Sequence, residues 1–223
     1  MALADLRALA VPLGDVQVVL PRGLLVDEYD GMAWVSLTPF LMAAVRPAGV
    51  AIEPGFSTFP ETNLRTYVRR PDGRDGIWFL SLEVGSAAML AARCAVGAPY
   101  HLGDLSVSKN RGTVIYAGTR RGGKPSYHLV VRPGDPILQP SDRDIWLTGR
   151  WRAYTRRFGI LCETPVEHEP WPLAAGVVEE FTETMVTSSG LPAPNGAPLV
   201  HFSTGVRDVH IGAPRPLFHR TWR

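Results

Sequence analysis

The rest of the chain is organised around ten residues, Phe59-Pro60-Glu61-Thr62-Asn63-Leu64-Arg65-Thr66-Tyr67-Val68. Their side chains alternate with a period of two, which predicts a β-strand over residues 61–68. One face of that strand carries four polar side chains: Glu61, Asn63, Arg65 and Tyr67. An acid, an amide, a guanidinium and a phenol are four different hydrogen-bonding groups, whereas a solvated face usually holds interchangeable polar residues.

The segment that follows this strand predicts that the polar row is enclosed. Residues 70–76 form a predicted hairpin turn, and residues 76–82 are apolar almost throughout, which is typical of a strand buried on both faces. A polar row beside such a strand indicates a lined interior. The alternative is a solvent-facing row with a surface pair between Glu61 and Arg65, the usual arrangement in an antiparallel sheet.

Turn and strand signals elsewhere predict a sheet built mainly from hairpins. The Asp30-Gly31 turn is expected to join strands 24–28 and 32–37, and a Pro/Gly-rich loop is expected over 46–60. Further strands are predicted over 99–107, 113–119, 126–132, 151–155, 160–166, 199–203 and 206–211. Together with few helices, these hairpins indicate a β-rich α+β fold that is compatible with a closed barrel.

Four short helices are expected among these strands. Ser86 would cap a helix over 87–96 and Gly97 would end it, while 142–148 reads as a second helix. The segment 1–20 is also expected to start with a short helix. The fourth is predicted over 174–187, because four apolar residues recur there at roughly helical spacing: Leu173, Val177, Phe181 and Met185.

Composition indicates an ordinary globular protein. The 223 residues predict one domain over 1–223, and 45% hydrophobic with 20% charged residues is typical of soluble chains. A net charge of +2 gives no reason to expect a nucleic-acid partner. The sequence starts without a signal peptide, and its apolar stretches are too short or too interrupted to span a bilayer, so we expect a cytoplasmic protein with no membrane partner. A homo-oligomer is compatible with the sequence.

Common catalytic and metal-binding motifs are absent from the sequence, so no metal or cofactor is expected. There is no glycine-rich phosphate loop, no zinc-spaced cysteine pair and no nucleophile elbow. In Glu167-His168-Glu169, strand alternation places the imidazole opposite both carboxylates, which does not favour a metal site. Four histidines are isolated in the sequence, and each taken alone favours a structural or surface role: His101, His128, His201 and His210.

Several short motifs, in the right order, resemble the bacterial YqjF-like family, whose function is unknown. The resemblance covers the chain from about residue 15 onward. It is carried by 20–24, 29–35, 59–68, 78–83, 97–100, 167–173 and 200–206. That family is similar to the acetoacetate decarboxylase superfamily, which implies a cone-shaped β-barrel with a cavity and a few flanking helices.

The resemblance also implies that the superfamily's defining chemistry is missing. Its decarboxylases use a Schiff-base lysine in a Gly-aromatic-Pro-Lys-Lys run, which corresponds here to Gly97-Ala98-Pro99-Tyr100-His101. Tyr100 and His101 therefore occupy the two lysine positions, and tyrosine cannot form an imine. Lys109 and Lys124, the two lysines of the chain, are predicted at a strand end and in a Gly-Gly turn, and neither is expected to replace the missing amine.

These observations predict a lyase- or isomerase-type enzyme that acts on an oxo or polyketide-like substrate by acid–base chemistry. Glu61, Arg65, Tyr100 and His101 are the candidate catalytic residues. Asn63, Tyr67, Trp34 and Trp78 are the candidate substrate-binding residues. Glu61 and Arg65 lie about 13 Å apart along the strand, so they would hold opposite ends of one small ligand, with a carboxylate or enolate oxygen on Arg65.

Three alternatives stay open on the sequence alone. The same cavity would suit a non-catalytic carrier or sensor of an apolar small molecule. A filled barrel would make the protein structural. Independently of these two, the polar set itself could be a buried network that fixes the register of the barrel strands.

Overall fold

The computed structural model describes residues 2–43, 58–90, 93, 96–194 and 196–217, with side chains from Ala8 onward. The strands are β1 (Ala2–Val11), β2 (Leu25–Val26), β3 (Ala33–Met42), β4 (Phe59–Arg69), β5 (Asp75–Val84), β6 (Tyr100–Asn110), β7 (Thr113–Arg120), β8 (Ser126–Pro136), β9 (Arg152–Arg157), β10 (Ile160–Glu167), β11 (Leu173–Glu183), β12 (Leu199–Ser203), β13 (His210–Ile211) and β14 (Arg215–Pro216). The helices are α1 (Leu13–Val19), α2 (Asp142–Thr148) and α3 (Met185–Ser188), with a 3₁₀ turn at Ala87–Met89.

Nine of these strands close into a barrel. They follow the order β5-β6-β7-β8-β11-β12-β1-β3-β4, and β4 pairs again with β5. The pairs are antiparallel except that β5 runs parallel to β6 and to β9. The remaining strands, β2, β9, β10, β13 and β14, extend this sheet. The predicted β-rich, barrel-like fold with few helices is therefore confirmed.

The barrel interior is filled by side chains. Its apolar cluster joins Leu37 of β3 and Leu64 of β4 to Tyr116 and Leu129 on the far wall. A hydrogen bond of 2.5 Å between the hydroxyls of Thr62 and Tyr127 also spans the interior, because β4 and β8 are not neighbours in the sheet. These contacts identify the inward-facing side of β4 as the one that carries Thr62 and Leu64.

The outer face of the wall is covered at one place by α2. Leu147 of this helix packs into a second buried cluster with Trp34, Tyr67 and Ile77, which lie on the opposite side of β3, β4 and β5 from the interior. Helix α2 begins at a complete capping box between Ser141 and Asp144, which satisfies backbone donors at its first turn. None of the described helices is long and apolar enough to cross a membrane.

Many of the predicted elements occur in the structure. The strand over 61–68 is β4, its hairpin partner is β5, and the helix over 142–148 is α2. In the region 87–96, the 3₁₀ turn is followed by helical conformation at Leu90, Arg93 and Val96. Most of the predicted 46–60 loop lies outside the described residues.

The predicted helix over 174–187 is wrong, because the chain forms strand β11 there and only α3 is helical. A spacing of four residues fits a helical face, but four is also a multiple of two, so the spacing fits a strand as well. In β11 the register shift between Val178 and Glu180 leaves Val177 facing outward while Phe181 packs against the interior cluster. Val177 is 59% exposed, which shows that this pattern did not report burial.

The N-terminal predictions need two corrections. The first 20 residues contain strand β1 before the short helix α1. Asp30 and Gly31 do form a tight turn between Tyr29 and Met32, but the flanking strands do not pair, since β2 pairs with β4. The final predicted strand, 206–211, is reduced to His210–Ile211.

Gly97 marks a close approach between the segment before β6 and strand β9. Its φ of +72° is in the left-handed region, and a Cβ there would lie 2.6 Å from the backbone oxygen of Arg156. Gly122 has almost the same φ, +71°, but its Cβ would meet nothing within 4 Å. A comparison of alanine substitutions at these two glycines therefore distinguishes the cost of the left-handed backbone, which both share, from the cost of the steric contact, which only Gly97 has.

We expect Gly97→Ala to lower the free energy of unfolding by about 2–4 kcal/mol, whereas Gly122→Ala should cost only about 1 kcal/mol. Urea unfolding of both variants measures the difference. Equal losses in the two variants would show that the chain at residue 97 can move away from β9 without cost.

Candidate functional site

The polar row of β4 is enclosed, but it lies on the outer wall of the barrel and not in its interior. Glu61 is 4% exposed, Asn63 and Tyr67 are buried, and Arg65 is partly buried. These residues alternate with Thr62 and Leu64, which face inward. The surface-pair alternative is thus excluded, and the predicted lining belongs to a space outside the barrel wall.

Helix α2 covers one end of this row. The Arg65 Nη2 group donates to the backbone oxygen of Leu147 at 3.5 Å, and the rings of Tyr67 and Trp146 lie 4.7 Å apart. The Tyr67 hydroxyl is hydrogen-bonded to Ser36 at 2.8 Å. Tyr67 is therefore held by structural contacts, while Arg65 keeps most of its donors.

The other end of the row carries buried polar atoms without a hydrogen-bond partner. They are Glu61 Oε2, Asn63 Oδ1 and Thr38 Oγ1. Thr38 lies directly opposite Asn63 in the β3–β4 pair, so the three atoms are on one face of the wall. Because unsatisfied buried polar groups are uncommon and costly, their concentration here indicates a place where a ligand would supply the partners.

Tyr100 belongs to the same group. In the sheet, Asn63 pairs with Leu82 and Leu82 pairs with Tyr100, which places Tyr100 on the same face as the polar row. Burial raises the pKa of the Glu61 carboxyl to about 8. Burial, and secondly the nearby Glu61 carboxylate, raise the pKa of Tyr100, which therefore keeps its proton and acts as a donor.

His101 points to the opposite side of the wall. It pairs with Glu83, and Glu83 pairs with the inward-facing Thr62. Glu83 accepts hydrogen bonds from Ser81 at 2.6 Å and from Arg120 at 2.5 and 3.2 Å. Burial, followed by the charge of Arg120, lowers the pKa of His101. Strand alternation thus separates Tyr100 from His101, and the two do not meet one ligand together.

The two tryptophans occupy different places. Trp34 lies on the outer face under α2, where its Nε1 group donates to the backbone oxygen of Tyr29 at 3.2 Å. Trp78 packs near Leu24 and Tyr154, away from Glu61, and lines a separate pocket. The structure therefore groups Glu61, Asn63, Arg65, Tyr67, Trp34 and Tyr100 on one face, and leaves His101 and Trp78 elsewhere.

Two features of this face were not predicted from the sequence: the guanidinium of Arg143, and the pair formed by His201 and Asp144. Arg143 of α2 lies 5.8 Å from the Trp34 ring, and its Nε, like that of Arg65, is buried without a partner. Neither guanidinium forms an ion pair with any Asp or Glu of the described chain. His201 is 2% exposed and hydrogen-bonded to Asp144 at 2.7 Å, with its Nδ1 unpartnered.

No local pattern marks these residues, because each acquires its neighbours through α2. His201 and Asp144 are 57 residues apart in the chain. Thr38 was the one detectable member, since it alternates with Trp34 and Ser36 along β3. The sequence showed that alternation but not which side of the wall it faced.

Metal ligation finds little support in the described part of the chain, where no group of three or more His, Cys, Asp or Glu side chains is arranged to hold an ion. His168 instead donates from Nδ1 to the backbone oxygen of Glu169 at 2.6 Å and packs between the rings of Trp151 and Trp171. The Glu167–Glu169 segment is thus a structural corner.

Glu61 should make stability depend on pH in a direction that can be tested. Its pKa of about 8 exceeds the ordinary value of 4.5, so between these values the folded protein retains a proton that the unfolded chain releases. This contribution is fully present below pH 4.5 and is lost as the pH rises through about 8. Glu61→Gln is always neutral and lacks it.

We therefore expect Glu61→Gln to become progressively more stable than the parent protein as the pH is raised from 5 to 9, by up to about 4 kcal/mol. Urea unfolding at the two pH values measures this change. Glu28→Gln, which removes an exposed carboxylate, is the control and should give the same difference at both. A pH-independent difference for Glu61→Gln would mean that Glu61 is ionised in the folded protein.

Comparisons with known proteins agree with this architecture. The chain is 34% identical over 197 residues to the uncharacterized protein YqjF of Bacillus subtilis (strain 168), covering 86% of this chain and 81% of that one. An acetoacetate decarboxylase-like enzyme from Sphingomonas wittichii RW1 superposes with a TM-score of 0.63 at 17% identity, covering 97% of this chain and 91% of the other. The enduracididine biosynthesis enzyme MppR complexed with pyruvate gives 0.67 at 16% identity, covering 97% and 88%.

The structural neighbours share the acetoacetate decarboxylase-like fold with this chain. The sequence comparison is more specific, because residues 8–207, most of the chain, match the model of one family. The chain belongs to the DUF2071 family of uncharacterized conserved proteins, to which the YqjF resemblance also points.

Proposed function

We propose that this protein is a cofactor-independent enzyme of the lyase or isomerase type that transfers a proton on a small oxo compound. The observation that carries the proposal is Glu61, a buried carboxyl group with a pKa raised to about 8 and one oxygen without a partner. A general base works best when its pKa lies near the operating pH, and burial has brought Glu61 to that range.

The neighbours of Glu61 supply the other groups that such a reaction needs. Removing a proton next to a carbonyl places negative charge on the oxygen, and hydrogen-bond donors aimed at that oxygen stabilise the transition state. The protonated hydroxyl of Tyr100 is one such donor, and the Asn63 amide and the Thr38 hydroxyl lie on the same face. Tyr100 occupies the position of the superfamily's lysine but can only donate a proton.

Arg65 favours a substrate that carries a carboxylate. A buried guanidinium stays charged, and an unpaired buried charge is expensive. Arg65 donates only to a backbone oxygen and forms no ion pair within the described chain. MppR, one of the structural neighbours, has been solved with pyruvate, a small 2-oxo acid, which supports testing this class first.

Exchange of carbon-bound hydrogen for deuterium tests proton transfer without knowledge of the complete reaction. Protein, pyruvate and a panel of other 2-oxo and 3-oxo acids are incubated in deuterium oxide, and loss of the signal next to the carbonyl is followed by NMR. We expect exchange whose rate rises with pH up to about 8, where Glu61 becomes ionised.

Glu61→Gln should reduce the exchange rate about 10²–10⁴-fold, and Tyr100→Phe should reduce it less, whereas Glu28→Gln should have no effect. Arg65→Met should remain folded and weaken the preference for carboxylate-bearing compounds over matched neutral ketones. Binding of an oxo acid without any exchange would contradict the enzyme proposal and support the carrier alternative. A large loss of melting temperature in Arg65→Met with unchanged ligand preference would make Arg65 structural.

Imine chemistry is expected to be absent. Lys109 and Lys124 are both exposed, and Tyr100 cannot form a Schiff base. After incubation with acetoacetate or pyruvate and borohydride, the intact mass should therefore be unchanged. A stable adduct mapped to either lysine would show that the reaction runs through an amine.

A further inference from the structure

A pocket of about 530 Å³, separate from the Glu61 face, lies between strand β5 and the tip of the β9–β10 hairpin. This volume is in the range of small-molecule sites in proteins, roughly 300–1,000 Å³. The wall is formed by the middle of β5, the Gly97–Pro99 backbone and the hairpin. Side chains that matter for its chemistry are Trp78, Arg93, Arg156, Arg157 and Phe158.

Charge at this pocket has one sign. Three arginines line it, and no Asp or Glu is found among its described lining residues. Arg93 donates from Nη1 to the Tyr100 backbone oxygen at 3.4 Å, and Arg156 donates from Nε to the Gly159 backbone oxygen at 3.2 Å. The guanidinium groups of Arg93 and Arg156 are exposed and each is anchored through one nitrogen, so further N–H donors of these two arginines are available to an anion.

Aromatic side chains give the same pocket an apolar surface. Trp78 of β5 lines the pocket and is partly buried, whereas the ring of its neighbour Phe79 packs on the opposite face of the strand against the cluster that contains Leu147. Phe158 at the hairpin tip is 83% exposed, and the guanidinium carbon of Arg157 lies 5.2 Å from its ring centroid. A large exposed aromatic beside an opening is suited to cover a planar ligand.

The backbone at Phe158 adds an independent observation. Phe158 and Gly159 have φ values of +48° and +83°, as in a tight hairpin turn of the type that prefers Asn-Gly. Phenylalanine is unfavourable in the left-handed region, and such departures from local preference concentrate at functional sites. Phe158 therefore combines an unfavourable backbone conformation with an exposed aromatic ring, although asparagine at this position would suit the turn better.

We infer that this pocket binds a small planar organic anion, such as an aromatic carboxylate or sulfonate. Its ring lies between Trp78 and Phe158, and its acid group is held by Arg93 and Arg156. This binding does not involve Glu61, so the inference stands apart from the proposed catalytic function.

A matched pair of fluorescent ligands tests the inference. 1-Anilinonaphthalene-8-sulfonate carries the acid group, and N-phenyl-1-naphthylamine is nearly the same molecule without it. We expect the sulfonate to bind one site at least tenfold more tightly than the neutral compound. The double variant Arg93→Gln/Arg156→Gln should abolish that difference, while Arg121→Gln, which removes an exposed arginine paired with Asp104 elsewhere, should leave it unchanged.

Phe158→Asn separates ligand binding from folding. Because asparagine suits the turn, this variant should keep or raise the melting temperature, yet bind both ligands at least threefold more weakly. Glu61→Gln should bind them normally. Equal affinity for the two ligands, or a sulfonate affinity that is unchanged in both the arginine double variant and Phe158→Asn, would overturn the inference whatever the exchange experiment shows.

Discussion

The pairing of β4 with both β3 and β5 is the constraint on which the rest of the structure depends. It closes the barrel and fixes which side chains face inward. Thr62 and Leu64 then join the filled interior, while Glu61 and Asn63 face the outer wall. The register shifts between Leu64 and Arg65, so that Arg65 pairs with Phe79 while staying on the face that α2 covers. Without this pairing, neither the buried carboxyl nor its neighbours would be placed.

Much of the fold was predictable because short-range signals determined it. Alternation identified β4, turn chemistry located most hairpins, and the Ser141 cap began α2 at the predicted residue. Prediction failed in the region of Leu173 and Met185, where the spacing of apolar residues fits both a helix and a strand. It also failed for β2, which pairs with β4 and not with the strand that follows the Asp30-Gly31 turn. Single-domain organisation stays a prediction.

The candidate site was predictable in its residue types but not in its assembly. The polar row and Tyr100 do share one buried face, yet strand alternation takes His101 to the other side of the wall. Arg143 and the His201–Asp144 pair were not predicted, because α2 carries Arg143 and Asp144 to partners, Trp34 and His201, that are distant in the sequence. Sequence spacing reports the period of an element, whereas the curvature and closure of a sheet decide which side becomes a site.

The two faces of the barrel wall at β4 have different roles, and this affects which residues can be substituted independently. Along β4, odd-numbered positions of the row serve the candidate site, while Thr62 and Leu64 serve the interior. Substitutions at Asn63 or Tyr100 can therefore alter ligand chemistry without changing the side chains that fill the barrel. On such a wall, the polar groups of one face can be exchanged one at a time while the scaffold stays unchanged.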